Sequence, residues 1–415
     1  MDSIFIQMAA FRDPQLLPTI KDCLDKADHP ENLVFSITWQ HSPEDKWDTL
    51  DEYKDDPRFR VIDVNYKDSL GCCWARNALQ QQYKGEKYTL QLDSHHRFVQ
   101  GWDTICIEMY NQLLAKGVKK PLLTAYLPPF LVDKDPEGRV MTPYKMNFDK
   151  FIPEGAVFFR PAGIDGWEKL TEPIPARFYS AHFCFTSGNF VKEVPHDPNY
   201  YFHGEEISIG VRAFTHGYDL FHPHRLVAWH EYTRNGRKKI WDAEDGDIHW
   251  TDKNDASHLR NRKLFEMDGQ KKDIDFGIYD FGRERTLEDY ERYAGVNFKK
   301  RSVQKYTLDN KIAPNPPLYG EDYEKSWTRK FKHIIDLRKA NIPNVNHDFW
   351  AVIFKKDGKE LYRKDLNRDD IEKLMREGKE WVYIRVEFDT WAQPDEWIVW
   401  PHSDGKWGDY FQEFI

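Results

Sequence analysis

Through the first 130 residues, short apolar runs alternate with segments whose apolar residues recur at helical spacing, and this alternation limits the folds open to the chain. Ser3–Ala9, Leu33–Trp39, Arg60–Val64, Tyr88–Asp93 and Leu122–Leu127 read as strands. Between them, Leu16, Leu17, Ile20, Cys23, Leu24 and Ala27 mark one helical face, with Asp13 as N-cap and Pro14 at the first helical position. Gly71–Tyr83 and Trp102–Leu114 read as two further helices. Strands separated by helices predict an α/β fold, a mostly parallel sheet with helices on both faces. Ligands of such sheets bind beyond the carboxyl ends of the strands.

Asp93-Ser94-His95 follows one of those strand ends. In extended chain, residues i and i+2 face the same side, so the Asp93 carboxylate and His95 imidazole can converge on a cation. His230, at the end of the predicted strand Leu220–Trp229, is the candidate third ligand. A mixed oxygen and nitrogen set suits Mn2+ or a similar divalent ion. His96 is expected to face the opposite way.

Other segments are less regular. Tyr179–Thr186 reads as a strand, Gly204–Thr215 as a helix, and Asp242 to about Asp275 as polar sequence without clear period, either a loop over a ligand or a connection. Lys299–Pro317, basic and then rich in Pro and Asn, reads as a linker. The expected organisation is a catalytic domain over 1–298, the linker over 299–317 and a small β-rich domain over 318–415. In that last part Asp348–Phe354, Glu360–Arg363, Trp381–Phe388 and Trp397–Trp400 read as strands, and Asn367–Glu377 as a helix. Six of its tryptophans (350, 381, 391, 397, 400 and 407) are expected mostly in the core, with stacking on sugar or peptide as the other role.

The chain's 31% charged and 40% hydrophobic residues fit a globular protein, and its net charge of −9 argues against nucleic-acid binding. A basic run, Arg234–Lys239, follows His230 and is a candidate diphosphate contact or a solvated loop. No apolar stretch approaches the ~20 residues that cross a bilayer. Five cysteines without metal-ligand spacing read as reduced thiols, pointing to a cytoplasmic protein.

Taken in order, Ile4–Pro14, Trp74–Asn77, Leu92–Phe98, Thr186–Phe190, His203–Glu206 with Arg212, Trp229-His230 and Arg285–Gly295 resemble the GT-A glycosyltransferases. The closer likeness is to the family 60 polypeptide α-N-acetylglucosaminyltransferases, cytosolic relatives of the mucin-type GalNAc transferases. The resemblance implies a UDP-GlcNAc donor, Mn2+ held by Asp93, His95 and His230, and a protein hydroxyl (hydroxyproline, Thr or Ser) as acceptor. It implies donor contacts at Ala10, Arg12, Arg76, Ser187, Gly188, Glu205 and Arg234, with Ser187-Gly188 as a sugar-binding turn. Glu205 and Arg212 join Asp93 and His95 as candidate catalytic residues, while Glu206 stands where the mucin-type relatives carry Asn. Retention of anomeric configuration is implied, through front-face attack in which the leaving phosphate takes the acceptor proton. A covalent route through Glu205 or Glu206 is the other option. The alternative functions are transfer to a glycan, small molecule or modified nucleobase, or an inactive domain that binds a sugar nucleotide or a partner.

Overall fold

The computed structural model describes residues 2–233, 238, 250–343 and 345–415. The chain begins with β1 (Ile4–Phe11), α1 (Leu16–Lys26), β2 (Leu33–His41), β3 (Phe59–Asn65), α2 (Cys72–Gln80) and β4 (Tyr88–Leu92). It continues through β5 (His96–Phe98), α3 (Trp102–Ala115), β6 (Pro121–Thr124), β7 (Tyr144–Phe151), β8 (Val157–Gly163) and β9 (Ile174–Pro175). Then come β10 (Phe183–Ser187), α4 (Phe190–Glu193), α5 (Glu205–Thr215), β11 (Asp219–His222), β12 (Ala228–His230), α6 (Trp250–Leu264), α7 (Leu287–Ala294) and β13 (Val296–Asn297).

Eight of these strands form one sheet in the order β3-β2-β1-β4-β10-β6-β11-β9. The pairs β2/β3, β1/β2, β1/β4 and β6/β11 are parallel, whereas β10 runs against both β4 and β6. The fold is therefore the expected α/β architecture, a mostly parallel sheet with helices on both faces. On one face, Leu16, Ile20 and Cys23 of α1 and Trp102, Cys106 and Met109 of α3 share a core with Ile4, Ile6, Phe35 and Leu90. Burial of each such side chain contributes roughly 1.5–3 kcal/mol. On the other face α2 covers Ser36 and Thr38, whose buried hydroxyls donate to the Leu79 and Ala75 carbonyls at 2.8 Å each.

Two readings of this unit need correction. The stretch Leu220–Trp229 is not one strand. Pro223 follows the last residue of β11, and β12 leaves the central sheet to pair with β5. Proline has no N–H to give the ladder, so the strand stops there. The polar stretch after 242 contains a helix, α6, although 242–249 lies outside the described residues. Its buried positions are Ser257, His258, Asn261 and Leu264, helically spaced but mostly polar. Ser257 accepts the Tyr201 amide at 2.7 Å and Asn261 donates to the Gly155 carbonyl at 2.7 Å.

The contacts divide the chain into two compact units, one reaching Lys299 and including Tyr306–Pro316, the other made of Lys300–Lys305 and Pro317–Ile415. The segment read as a linker contains β14 (Ser302–Gln304) and α8 (Lys305–Leu308). Within the first unit Asn315 Oδ1 accepts two hydrogen bonds from the buried Arg177 guanidinium, at 3.0 and 2.6 Å.

The second unit continues with α9 (Gly320–Ser326), β15 (Trp327–Arg338), β16 (His347–Lys356), β17 (Lys359–Asn367) and α10 (Arg368–Glu377). It ends with β18 (Trp381–Thr390), β19 (Glu396–Ser403), β20 (Lys406–Trp407) and β21 (Phe411–Phe414). One antiparallel sheet runs β14-β15-β18 and the other β17-β16-β19, with β20 and β21 paired to β19. β18 shows why: its residues alternate exposed and buried, and Val382, Ile384, Val386 and Phe388 join Ile335, Trp350 and Phe354 in the core. The tryptophans divide differently from the expectation. Trp350 and Trp397 are core residues, but Trp381, Trp391 and Trp407 are exposed.

Candidate functional site

β4 is buried along its whole length and ends at Leu92, where the chain turns before β5 begins at His96. Asp93 and His95 sit in this turn, not on a strand, so strand alternation is not what aligns them. The ladder supplies the third residue: β12 pairs antiparallel with β5, setting His230 opposite His96. Asp93 Oδ2 lies 3.3 Å from His230 Nε2 and 3.5 Å from His95 Nε2. A ligand atom from each of the three residues falls within 4.8 Å of the others.

Asp13, read as the N-cap of the first helix, is not: α1 starts at Leu16 with Gln15 as its cap, and the Asp13 carboxylate serves this site instead. It accepts the Ser94 hydroxyl at 2.7 Å and contacts His95 Nδ1 at 2.7 Å, leaving His95 Nε2 directed at Asp93. A carboxylate behind a histidine in this way fixes the tautomer of a metal ligand. Burial and the neighbouring histidines hold His230 neutral, with its pKa well below the usual histidine value, the form that binds metal. Burial alone would raise the Asp93 carboxyl, but His230, His95 and Arg76 outweigh it and keep Asp93 well below the usual carboxylate range. One carboxylate oxygen and two imidazole nitrogens fit a divalent ion of the Mn2+ class.

Arg76 ties this group to α5. Its Nη2 donates to Asp93 Oδ1 at 2.6 Å and its Nη1 to Glu205 Oε1. Glu205 Oε2 accepts the Cys73 thiol at 2.8 Å. Burial raises the Glu205 carboxyl, yet Arg76 foremost, with the Cys73 thiol, brings it down to about 2. Its neighbour behaves oppositely. Burial pushes Glu206 up to about 7, against hydrogen bonds from the Ala181 amide at 2.9 Å and the Tyr126 hydroxyl at 2.7 Å.

These residues line a cleft of about 500 Å³. Ala9, Phe11 and Gln40 form one side, Phe158, Phe159 and Phe202 contribute an aromatic wall, and Lys238 is a lining cation. Asp93, His95, Arg76, Glu205 and His230 all reach the cleft, as does Glu206, named from the sequence only as an alternative nucleophile, and so do Asp13, Tyr126, Ala181, His182 and Tyr232, which the sequence did not single out for the site.

Several nominated residues lie elsewhere. Ala10 faces the hydrophobic core, and its neighbour Ala9 lines the cleft instead, as strand alternation requires. Arg12 is buried in a two-pronged pair with Asp45 at 2.5 and 2.9 Å and lies over the Tyr66 ring. Ser187 and Gly188 are at the far end of the sheet: β10 is antiparallel to β4, so Ser187 pairs with Tyr88 while Phe183 pairs with Leu92. The turn entering β10, Ala181-His182, is the one at the cleft. Arg212 lies two helical turns beyond Glu205, about 10 Å deeper along α5, and donates to the Pro195 and Ile278 carbonyls. Arg234 lies outside the described residues.

The sequence model of the GlcNAc glycosyltransferase family matches residues 3–58 and 52–300. The chain belongs to this family. No curated protein sequence matches it. Its structure is similar to GalNAc-T7 crystallised with UDP, GalNAc and Mn2+, at a TM-score of 0.47 and 13% identity over 64% of this chain and 49% of that one. It is also similar to S. aureus TarS 1–349 in complex with UDP-GlcNAc, at a TM-score of 0.36 and 10% identity over 59% and 62%. The chain thus spans about half the length of the GalNAc-T7 chain. No helix among the described residues is long and apolar enough to cross a membrane.

Proposed function

We propose that this glycosyltransferase moves GlcNAc from UDP-GlcNAc to a protein hydroxyl (hydroxyproline, Thr or Ser) with a divalent cation and retention of anomeric configuration. The observation that carries the reading is the convergence of Asp93, His95 and His230 at the cleft, with Arg76 bridging Asp93 to Glu205. A Mn2+-class ion held by those three ligands would offset the charge that builds on the leaving diphosphate. The protein's own groups do the rest. Asp13 fixes the tautomer of His95, Arg76 fixes the Asp93 carboxylate, and Lys238 offers the cleft a positive charge. Ala9, Phe11 and Gln40, over the end of β1, form the floor for the nucleotide base. The family assignment supports GlcNAc as the sugar.

Front-face transfer is supported by the state of Glu205. Both its oxygens are engaged, one by Arg76 and the other by the Cys73 thiol, so it is poorly placed to become a covalent nucleophile. The five cysteines are all free, which suits a reducing compartment and a cytoplasmic enzyme. The test is hydrolysis of UDP-sugars by purified protein. UDP-GlcNAc should be consumed faster than UDP-GalNAc or UDP-glucose, only with Mn2+ or a similar ion, and labelled sugar should then pass to lysate protein. Absence of metal-dependent hydrolysis with every UDP-sugar would overturn the reading.

A further inference from the structure

Behind the cleft, at the starts of α2 and α5, Cys73, His196 and Glu205 bring a thiol, an imidazole and a carboxylate together. All three are buried. Their ligand atoms lie within 4.8 Å of one another: Cys73 Sγ is 2.8 Å and His196 Nδ1 3.4 Å from Glu205 Oε2.

The surrounding hydrogen bonds fix the protons. The Gln91 side-chain amide donates to the Ala181 carbonyl at 2.7 Å, which can only accept, so its oxygen must be the atom facing His196 Nε2 at 2.5 Å. His196 Nε2 therefore carries the proton, and a neutral ring leaves Nδ1 as a bare electron pair. That atom, fully buried, has no hydrogen-bond partner and faces the Glu205 carboxylate. An electron pair set against a buried carboxylate calls for a positive species between them. Arg76 does not supply it, because its guanidinium is on the other oxygen, Oε1.

We propose that Cys73, His196 and Glu205 hold a second divalent cation of the zinc class, separate from the cleft site. Sulfur, nitrogen and a single carboxylate oxygen are zinc's ligand types. Metal binding expels the Cys73 thiol proton to solvent, and the thiolate and Glu205 carboxylate then balance the two positive charges. Bond lengths of about 2.3 Å to sulfur and 2.0 Å to oxygen separate those atoms by about 3.5 Å in a tetrahedron, so the 2.8 Å contact opens by roughly 0.7 Å. The ion pins α2, α5 and the segment before Asp197 at one point, and through Glu205 it holds Arg76 against Asp93. The inference is independent of the donor and acceptor reading.

Cobalt substitution of the full-length protein tests it without any activity measurement. Thiolate ligation gives Co2+ an intense near-ultraviolet charge-transfer band, whereas Asp93, His95 and His230 offer no sulfur. The expected result is zinc in protein purified without added metal, about one per chain, and the band after exchange with Co2+. The band should be lost in Cys73→Ser and kept in Cys72→Ser and Asp93→Asn. Wild-type protein with neither zinc nor a band would overturn the proposal and leave an extra proton as the positive species. A band that survives Cys73→Ser, or disappears in Asp93→Asn, would overturn it as well. Should Cys73→Ser fail to fold, His196→Gln decides with the thiol intact: the band should shift or disappear, and an unchanged spectrum would overturn the assignment.

Discussion

Replacing Glu206 with Gln should stabilise the first unit at alkaline pH and barely affect it in acid. The Glu206 carboxyl goes from 4.5 in the unfolded chain to about 7 in the folded one, because burial outweighs the hydrogen bonds from Ala181 and Tyr126. A carboxyl raised on folding binds its proton more tightly in the native state. Its contribution to stability is complete below 4.5 and is lost as pH rises through about 7. At 1.36 kcal/mol per pKa unit, ionised Glu206 costs about 3 kcal/mol at pH 8, about 0.8 at pH 5 and about 0.2 at pH 4. The pH 8 figure is a ceiling, since the side chain opens onto the cleft and water screens part of it. Gln reproduces the neutral form: its oxygen can accept from the Ala181 amide and its NH2 can donate to the Tyr126 oxygen. Native-state hydrogen exchange over α5 reads the effect apart from unfolding of the second unit. The variant should gain protection over wild type at pH 8 and little at pH 5. An advantage that does not change between those pH values, or a variant less stable at pH 8, would refute the reasoning.

Asp93→Ala and His230→Ala should each lower kcat for UDP-GlcNAc hydrolysis by on the order of 10²–10³ with an unchanged circular dichroism spectrum; metal-dependent turnover at the wild-type rate would remove them from the site. Gly188→Ala should cost about 1–3 kcal/mol in urea denaturation with donor KM unchanged, because a Cβ there would sit 2.0 Å from the Glu86 carbonyl oxygen. A switch in sugar preference at native stability would restore Gly188 to the donor site. A chain ending at 316 should melt higher than one ending at 298, because the shorter form removes Asn315 and strands the Arg177 guanidinium, costing about 3 kcal/mol. Equal melting temperatures would show that 306–316 contributes nothing.

Where a signal in the sequence was local and apolar, it could be read. The alternating strands and helices of the first 130 residues follow hydrophobic period, and the order of motifs brought Asp93, His95 and His230 together although no short-range rule links 95 with 230. What escaped depends on partners far away in the chain. Nothing around Ser187 reveals that β10 runs against β4, and that direction decides whether a residue faces the cleft or the opposite edge. Arg212 shares a helical face with Glu205 but lies too deep along it. α6 was hidden because the surface it covers is polar, so its stripe is Ser257, His258 and Asn261 where Leu would have been conspicuous. Asp13 looks like a cap until Ser94 and His95, more than eighty residues on, are seen to share its carboxylate.

The pairing of β5 with β12 bears on how such a chain can vary. His95 and His230 are kept close by backbone hydrogen bonds between the strands beside them, while the 129 residues from 99 to 227 form a long excursion that leaves this short ladder and comes back. Loops within that excursion can lengthen, shorten or be exchanged without moving either imidazole, provided β5 and β12 still pair, Pro128–Phe130 keeps its backbone bonds to His230, and His182 stays stacked on its ring. Engineering of acceptor preference therefore has most freedom in the loops around β7 and β8, and least in the ladder, in Pro128–Phe130 and at His182.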